Sequence, residues 1–136
     1  MTEKLKSILG AVLLSASTLT AATALDGSEP LLCAVTHTVN CDSAGNCIEG
    51  PADAVNLPVF IGIDAQNKTA QSTRVGGEQR TSEILSVHKE GGALVLLGVE
   101  QGAGWSVAID GSTGKMTLAV AGEGIGFLAF GACTPR

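Results

Sequence analysis

The sequence predicts an all-β protein, folded as a small antiparallel up-and-down barrel or coiled meander of about 7–8 strands and stapled by disulfides. Apolar and polar residues alternate with period 2 in successive segments between residues 33 and 133. Turn sequences rich in glycine, asparagine and aspartate separate those segments. After residue 24, no segment combines a helical apolar period with helix-capping residues, so no helix is expected.

The first 24 residues have the features of a secretory signal peptide. Lys4 and Lys6 precede an apolar run, and Ala22-Thr23-Ala24 matches the small-x-small pattern of signal peptidase sites. A membrane anchor is the alternative, but serine and threonine interrupt the run well short of the ~20 apolar residues that a spanning helix needs. We therefore predict a signal peptide at 1–24, one domain at 25–136, no membrane span after cleavage, and a periplasmic or secreted location.

The first strand is predicted at residues 33–41, where the side chains alternate in character. One face, expected to point inward, carries Cys33, Val35, His37, Val39 and Cys41. The opposite face carries Thr36, Thr38 and Asn40. This pattern is typical of a half-buried strand, and it predicts that His37 lies inside the domain.

Further strand segments follow the first one in chain order. They are residues 59–63 before the turn "DAQNK", 69–75, 82–89, 93–100, 105–110 before "DGSTGK", 116–120 before "AGEG", and 125–133. The segment 69–75 is polar and is predicted to be an edge-type strand. Glycines in "EGG" and "QGAG" supply the positive φ that hairpin turns between these segments require.

The four cysteines are predicted to form two disulfides, as expected of a small exported domain. Their spacing contains no C-x-x-C pair and does not fit a zinc site, so neither a metal nor another cofactor is expected. The turn sequence "DSAGN" favours Cys41–Cys47, which leaves Cys33–Cys133. In the chain-entropy model the long link contributes ~4.7 kcal/mol and the short one ~2 kcal/mol.

A disulfide between the first and last strands suggests that the sheet closes on itself, which removes its exposed edges. The chain has three Phe, one Trp and no Tyr, so Val, Leu, Ile and Ala must fill most of the interior. Roughly eight strands leave room for at most one small ligand. A membrane-spanning barrel is not expected, because its aromatic girdles would need more aromatic residues than this chain has.

Charge and composition argue against a nucleic-acid partner. The formal net charge is -5 at pH 7, and the basic residues are scattered along the chain. No run of aromatic residues accompanies them, so the sequence shows neither a phosphate-binding track nor a base-stacking platform.

The arrangement of the cysteines resembles that of small exported β-barrel proteins of proteobacteria. The chain has a cysteine in its first strand, "FGAC" (130–133) in its last, and a late "DGSTGKM" hairpin (110–116). In outline it is similar to the periplasmic C-type lysozyme inhibitors, and this resemblance implies a compact eight-stranded barrel with its two ends tied by a disulfide. Those inhibitors use a tyrosine-containing, glycine-rich motif, and this chain has no Tyr, so no inhibitory residue is transferred.

Few residues qualify as candidate site residues, and none is predicted to be catalytic, because the chain lacks a nucleophile elbow and a phosphate-binding loop in the required context. His37 is either a core histidine or a ligand contact. Trp105 either plugs one end of the barrel or presents an anchor to a partner. With Gly102 and Gly104 in the preceding turn, Trp105 marks a candidate interaction surface.

Three functional hypotheses follow from these features. The first is a non-enzymatic, exported binding module that captures an envelope or secreted protein through its rim loops, in the manner of an inhibitor. The second is a small-molecule or lipid binder that uses the barrel interior, for which an apolar cavity would be the distinguishing feature. The third is an enzyme, which would need His37 or His88 to meet a carboxylate in a cleft that the sequence does not reveal. A purely structural envelope role is a further alternative. An enzyme is not expected.

Overall fold

The computed structural model describes residues 25–73 and 76–136, and the predicted signal peptide at 1–24 lies outside this range. The described residues form one antiparallel sheet, which confirms the predicted all-β class. Its strands are β1 (Leu31–Asp42), β2 (Cys47–Gly50), β3 (Phe60–Asp64), β4 (Thr69–Thr73), β5 (Gln79–Glu83), β6 (Ser86–Glu90), β7 (Ala93–Glu100), β8 (Ala103–Asp110), β9 (Lys115–Gly122) and β10 (Ile125–Pro135). One turn of 3-10 helix, Ala52–Val55, lies between β2 and β3.

The sheet is a meander whose two chain ends meet in its middle. The strand order is β5-β4-β3-β1-β10-β9-β8-β7-β6, with β2 paired to one part of β1. Strands β1 and β10 pair along their whole lengths, from Leu31 opposite Pro135 to Asp42 opposite Ile125. Consecutive strands are neighbours from β3 to β5 and from β6 to β10, as the up-and-down prediction requires.

The two outer strands of the order, β5 and β6, are halves of one bent chain segment. Only Ile84 and Leu85 separate them. The backbone N–H of Ile84 donates to the carbonyl of Lys68 next to β4, whereas the N–H of Leu85 donates to the carbonyl of Leu97 in β7. The segment therefore passes from one side of the curled sheet to the other, which gives a half-barrel with a fully buried Ile84 at the bend.

The inner face of the half-barrel is arranged in rungs set by the strand register. One rung consists of Leu94, Ile109 and Met116, the next of Leu96, Val107, Leu118 and Ala129, and the last of Gly98, Trp105, Val120 and Phe127. The first two rungs are buried, whereas the large side chains of the last rung are only partly buried. The core therefore lies toward one end of the strands.

That end, named here the closed end, is covered by the segment that precedes β1. Leu25 packs against the core, and at Gly27 an added Cβ would lie about 3.0 Å from Ala65 and 3.1 Å from Leu94. Asp26 pairs with Lys89 at 3.5 Å. The opposite end, where β7 meets β8 and β9 meets β10, is named the open end.

A β-bulge in β1 overturns the predicted inward position of His37. Val35 lies opposite Gly131 but His37 lies opposite Phe130, so Thr36 is an extra residue in the strand. The alternation flips at this point, and Thr38, which was predicted to point outward, is fully buried. Its hydroxyl donates to the carbonyl of Gly50 at 2.9 Å or of Pro51 at 3.1 Å, which satisfies this buried polar group.

Three details of the strand predictions also change. The segment at 69–75 forms β4, but β4 lies between β3 and β5, so its predicted edge position is wrong. Residues 74 and 75 are outside the described part of the chain. The predicted strand at 82–89 is divided between β5 and β6, and the short β2 was not predicted.

Both predicted disulfides are present. Cys33–Cys133 and Cys41–Cys47 each join residues that lie directly opposite one another on paired strands, with Cα–Cα distances of 3.9 and 4.1 Å. The first link ties β1 to β10 inside the core, and the second closes the β1–β2 hairpin at the surface.

Candidate ligand cavity

The interior of the half-barrel contains a cavity of about 330 Å³ that opens at the open end. Its apolar wall comes from β3, β4 and the inner rungs of β7 to β10. These apolar side chains are Ile61, Ile63, Ala70, Leu96, Trp105, Val107, Met116, Leu118, Val120, Ile125 and Phe127, with Leu57 and Pro58 from the segment before β3. Cavities of this size at the mouths of β-barrels are typical binding sites for small ligands.

Gly98 gives the indole of Trp105 its place at the mouth of this cavity. The two residues are directly opposite one another on β7 and β8, and a Cβ at Gly98 would overlap the ring of Trp105. The indole therefore occupies the space that a side chain at position 98 would fill. This position keeps the ring on the cavity wall, beside Val120 and near Phe127.

The floor of the cavity is closed by buried side chains. Leu96, Val107 and Leu118 form its deeper wall, and Met116 lies on the rung below. Leu94 and Ile109, which share the rung of Met116, are almost completely inaccessible to solvent. A ligand would therefore enter from the open end and stop at this layer.

A polar strip interrupts the apolar wall on the side of β4 and β5. Ser72, Arg80 and Ser82 occupy inward positions there, because Ser72 pairs with Ile61 and Arg80, and Ser82 pairs with Ala70. Strands β4 and β5 contribute only one apolar side chain, Ala70, to the cavity. The cavity thus has one polar wall and three apolar ones.

An ion pair crosses the mouth between β5 and β7. Nε of Arg80 lies 2.9 Å from Oε1 of Glu100, and the hydroxyl of Ser82 donates to Oε2 of the same carboxylate. The side chains of Arg80 and Glu100 are 31% and 29% exposed, so the pair is half-buried at the rim. Both carboxylate oxygens of Glu100 therefore have partners.

The carboxylates with a lowered pKa lie in turns and not in the cavity. Hydrogen bonds from the Ser112 side chain, and then from the backbone and side chain of Thr113, hold the pKa of Asp110 well below its usual range. Hydrogen bonds from Ser28, assisted by Lys89, lower the pKa of Asp26 to about 2. These groups stabilise turns, so their ionisation does not point to catalysis.

The pKa of two further turn aspartates is lowered for the same reason. The side-chain amide and the backbone of Asn46 lower the pKa of Asp42, and the backbone and side chain of Asn67 lower that of Asp64. Asp42 thereby organises the β1–β2 turn that the Cys41–Cys47 disulfide closes.

His37 is outside the cavity, on the outer face of β1. Its side chain is 45% exposed, and its ring stacks on Phe130 with a centroid distance of 6.3 Å. Nε2 lies 3.8 Å from a carboxylate oxygen of Glu49. The prediction that His37 lies inside the domain, as a core histidine or as a ligand contact, is therefore wrong in its location.

Trp105, Gly102 and Gly104 are close in sequence but occupy different surroundings. Trp105 is the member that faces the cavity. Gly102 is the second residue of the two-residue β7–β8 turn, where Gln101 and Gly102 both have positive φ, at 50° and 80°. Gly104 is an exposed residue of β8, with no atom within 4 Å of an added Cβ. Trp105 and Gly104 also border one concavity that runs across β7 to β10, whereas Gly102 does not line it.

Arg80, Ser82 and Glu100 were not predicted as candidate site residues. Arg80 is one of several scattered basic residues, and Glu100 reads as part of a solvated face. A usable signal is the polar character of 69–83, because two largely polar strands inside a curled sheet give the interior one polar wall.

Within residues 25–73 and 76–136, no three His, Cys, Asp or Glu side chains come together as a metal site. In the same range, no helix is long and apolar enough to cross a membrane. Comparison of the chain with protein-family models, with curated proteins and with solved structures finds no match. The resemblance to C-type lysozyme inhibitors stays a prediction.

Proposed function

We propose that this chain is an exported binding protein that holds one small apolar molecule in the interior of its half-barrel. The observation that carries the proposal is the open cavity of about 330 Å³ with its largely apolar lining. Apolar surface that stays in contact with water is unfavourable, and a ligand that covers it regains that free energy. The predicted signal peptide and the two disulfides support export, since disulfides persist in oxidising compartments.

The size of the cavity limits the ligand. An enclosed apolar cavity of about 150 Å³ holds benzene, so a cavity about twice as large accommodates roughly a dozen non-hydrogen atoms. A bicyclic aromatic compound or a medium-length alkyl chain meets this limit, whereas a two-chain phospholipid exceeds it. The ligand would contact Trp105 and Phe127 at the mouth and Leu118 at depth.

Trp105 provides the direct test, because it is the only Trp in the sequence. We expect 1-aminonaphthalene, added to the oxidised protein at pH 7, to bind saturably with one molecule per chain. Energy transfer from Trp105 and a blue shift of the probe emission would report binding inside the cavity. The variant Ala70→Leu adds volume to the cavity wall, so we expect it to reduce binding at least about tenfold, roughly 1.4 kcal/mol.

The matched control is Ala108→Leu, which adds the same side chain to an exposed position on the outer face of β8. Circular dichroism and thiol titration should show that both variants fold and keep both disulfides. Equal probe affinity for the two variants, or no saturable binding by the parent protein, would rule out the interior as the binding site.

The outer face of the sheet favours a second candidate, capture of a protein. A shallow concavity of about 770 Å³ runs across β10, β9, β8 and β7 on that face, with a floor of small residues that includes Ala119 and Ser106. Its walls expose large apolar side chains, among them Leu128 at 40% and Val99 at 59%. Exposed apolar surface of this kind is typical of protein-binding sites.

The resemblance stated above supplies one partner to test. If the outer face binds a C-type lysozyme, the protein should inhibit that enzyme, and Val99→Asp should abolish inhibition without changing 1-aminonaphthalene binding. If the protein folds, binds the probe and leaves lysozyme fully active, capture of lysozyme by the outer face is ruled out. Binding of a small apolar ligand in the cavity would remain the proposed function.

A further inference from the structure

The mouth of the cavity has a charge arrangement that restricts the chemistry of the ligand. Arg80 and Glu100 are the charged residues that line the cavity in the described part of the chain, and they neutralise one another across the gap between β5 and β7. Strands β5 and β7 do not pair with each other through backbone hydrogen bonds in that part of the chain. The Arg80–Glu100 pair and Ser82 are therefore the polar connection between these two strands.

A charged ligand would disturb this balance. A carboxylate in the mouth would lie near Glu100, whose two oxygens already have partners, and would leave the site with a net negative charge. An ammonium group would meet the Arg80 guanidinium instead. Because an unbalanced charge is costly where it is partly removed from water, both ligand types are disfavoured. The formal net charge of -5 further disfavours an anion.

Arg80 nevertheless has guanidinium N–H groups that can donate hydrogen bonds to a ligand. A guanidinium carries five N–H groups, and here the contact with Glu100 uses Nε. Among the described residues, no hydrogen bond from the terminal nitrogens of Arg80 is present, so their N–H groups remain available to a ligand in the cavity that Arg80 lines. Ser72 lies directly opposite Arg80 on β4 and adds a hydroxyl to the same strip.

We propose that the ligand is an uncharged molecule with an apolar body and one oxygen acceptor, such as a ketone or an ester. Its body fills the wall formed by Trp105, Phe127 and Leu118, and its oxygen accepts from the terminal N–H groups of Arg80. Glu100 acts as the specificity-determining residue, because its charge cancels that of Arg80. This inference rests on the proposed function and names the ligand class of the same cavity.

The test compares three eight-carbon compounds that differ in the charge of the head group. Calorimetric titration at pH 7 measures the affinity of the oxidised protein for 2-octanone, octanoate and octylammonium. We expect 2-octanone to bind at least about tenfold more tightly than either ion, the difference that about 1.4 kcal/mol produces.

The variant Glu100→Gln separates charge from shape. It keeps a hydrogen-bonding group beside Arg80 and Ser82 but leaves the guanidinium charge uncompensated, so we expect octanoate to bind more tightly than 2-octanone. The control Glu90→Gln removes the same charge at the closed end, where β6 ends, and should keep the preference of the parent protein.

The outcomes distinguish this inference from the proposed function. If the parent protein binds 1-aminonaphthalene but prefers octanoate or octylammonium, or binds none of the three compounds, the neutral-ligand inference is overturned and the cavity remains a binding site. An unchanged preference in Glu100→Gln would also overturn it. If neither the probe nor any of the three compounds binds, the proposed function fails as well.

Discussion

The two ends of the half-barrel are built from the same strands, yet one end is packed and the other is open. At the closed end, Leu94, Ile109 and Met116 form a buried rung that the segment containing Leu25 covers. At the open end, the corresponding rung has Gly98 beside Trp105, so one position has no side chain and its neighbour is only partly buried. The rung at the closed end is therefore part of the buried core, and the rung at the open end is available to a ligand.

Strand alternation alone does not fill the interior of a curled sheet with side chains. Both rungs follow the same period-2 pattern and both point inward. Side-chain volume and the polarity of the facing strands decide whether a rung becomes core or cavity wall. The polar side chains of β4 and β5 do not pack against the rung of Gly98 and Trp105 as leucine side chains would. The space between these two strands and that rung therefore stays open.

The largest expected effect concerns the two disulfides. The Cys33–Cys133 link closes a sequence separation of 100 residues at the closed end, whereas Cys41–Cys47 closes a separation of 6 on the other half of β1. The double variant Cys33→Ala/Cys133→Ala should lose ~4.7 kcal/mol of unfolding free energy, and Cys41→Ala/Cys47→Ala about 2 kcal/mol. Urea denaturation of each variant measures both losses. Equal losses would contradict the dependence of disulfide stabilisation on loop length.

Truncation of one large side chain at each end should have a smaller effect. Ile109 is fully buried, so Ile109→Ala should destabilise the protein by about 2–5 kcal/mol. Trp105 borders an existing cavity, so Trp105→Ala should cost less than the ~3 kcal/mol that marks the lower limit for a fully buried Trp. Thermal or urea unfolding, followed by far-ultraviolet circular dichroism, checks the order. A larger loss for Trp105→Ala would show that the open end is core.

Two glycines give a matched test of how the indole is held. An added methyl group at Gly98 overlaps the Trp105 ring, and Gly98→Ala should cost about 1–3 kcal/mol and shift the Trp105 emission. Gly104→Ala places the same methyl group in open space on the adjacent strand. It should leave stability and emission close to those of the parent protein. Similar behaviour of the two variants would contradict the described contact between β7 and the indole.

The smallest expected effect is on the pH dependence of stability. The pKa of Asp110 is lowered in the folded protein, so its stabilising contribution is complete above the pKa of the unfolded chain, near 3.9, and is lost as the pH falls toward the folded value. Asp110→Asn should therefore flatten the decline of unfolding free energy between neutral pH and pH values below about 4.

The control for Asp110→Asn is Glu123→Gln in the β9–β10 turn at the open end. Glu123→Gln removes one carboxylate that accepts no hydrogen bond from the described residues. The unfolding free energy of this variant should therefore fall with decreasing pH as that of the parent protein does. Parallel curves for Asp110→Asn and the parent would mean that the β8–β9 turn does not contribute to acid sensitivity.

The fold class and both disulfide pairings could be predicted because each depends on local information. Period-2 alternation, turn residues and the spacing of cysteines are all readable within short segments, and the long pairing followed once "DSAGN" favoured the short one. The position of His37 could not be predicted, since a single extra residue at Thr36 reverses the alternation. Nothing in the residue types of 33–41 indicates the bulge.

The candidate site was predictable only in outline. The strand count predicted an interior with room for one small ligand, and Trp105 was a predicted candidate. Arg80, Ser82 and Glu100 were not. These residues meet because β5 turns into β6 at Ile84 and so approaches β7 across the mouth. The bend is a property of how the whole sheet curls, and the polar residues themselves are indistinguishable from solvated ones in the sequence.

The all-β class, most of the strand segments and both disulfides are determined by the sequence alone, because they follow from the periodicity of neighbouring side chains and from cysteine spacing. Only the tertiary structure decided which side chains of β1 face inward, that the ends of the sheet lie on one bent segment, and that the open end keeps a cavity with a neutral ion pair at its mouth. The physical reason is that register, bulges and curvature arise from the balance of packing across many strands, whereas alternation is local to each strand.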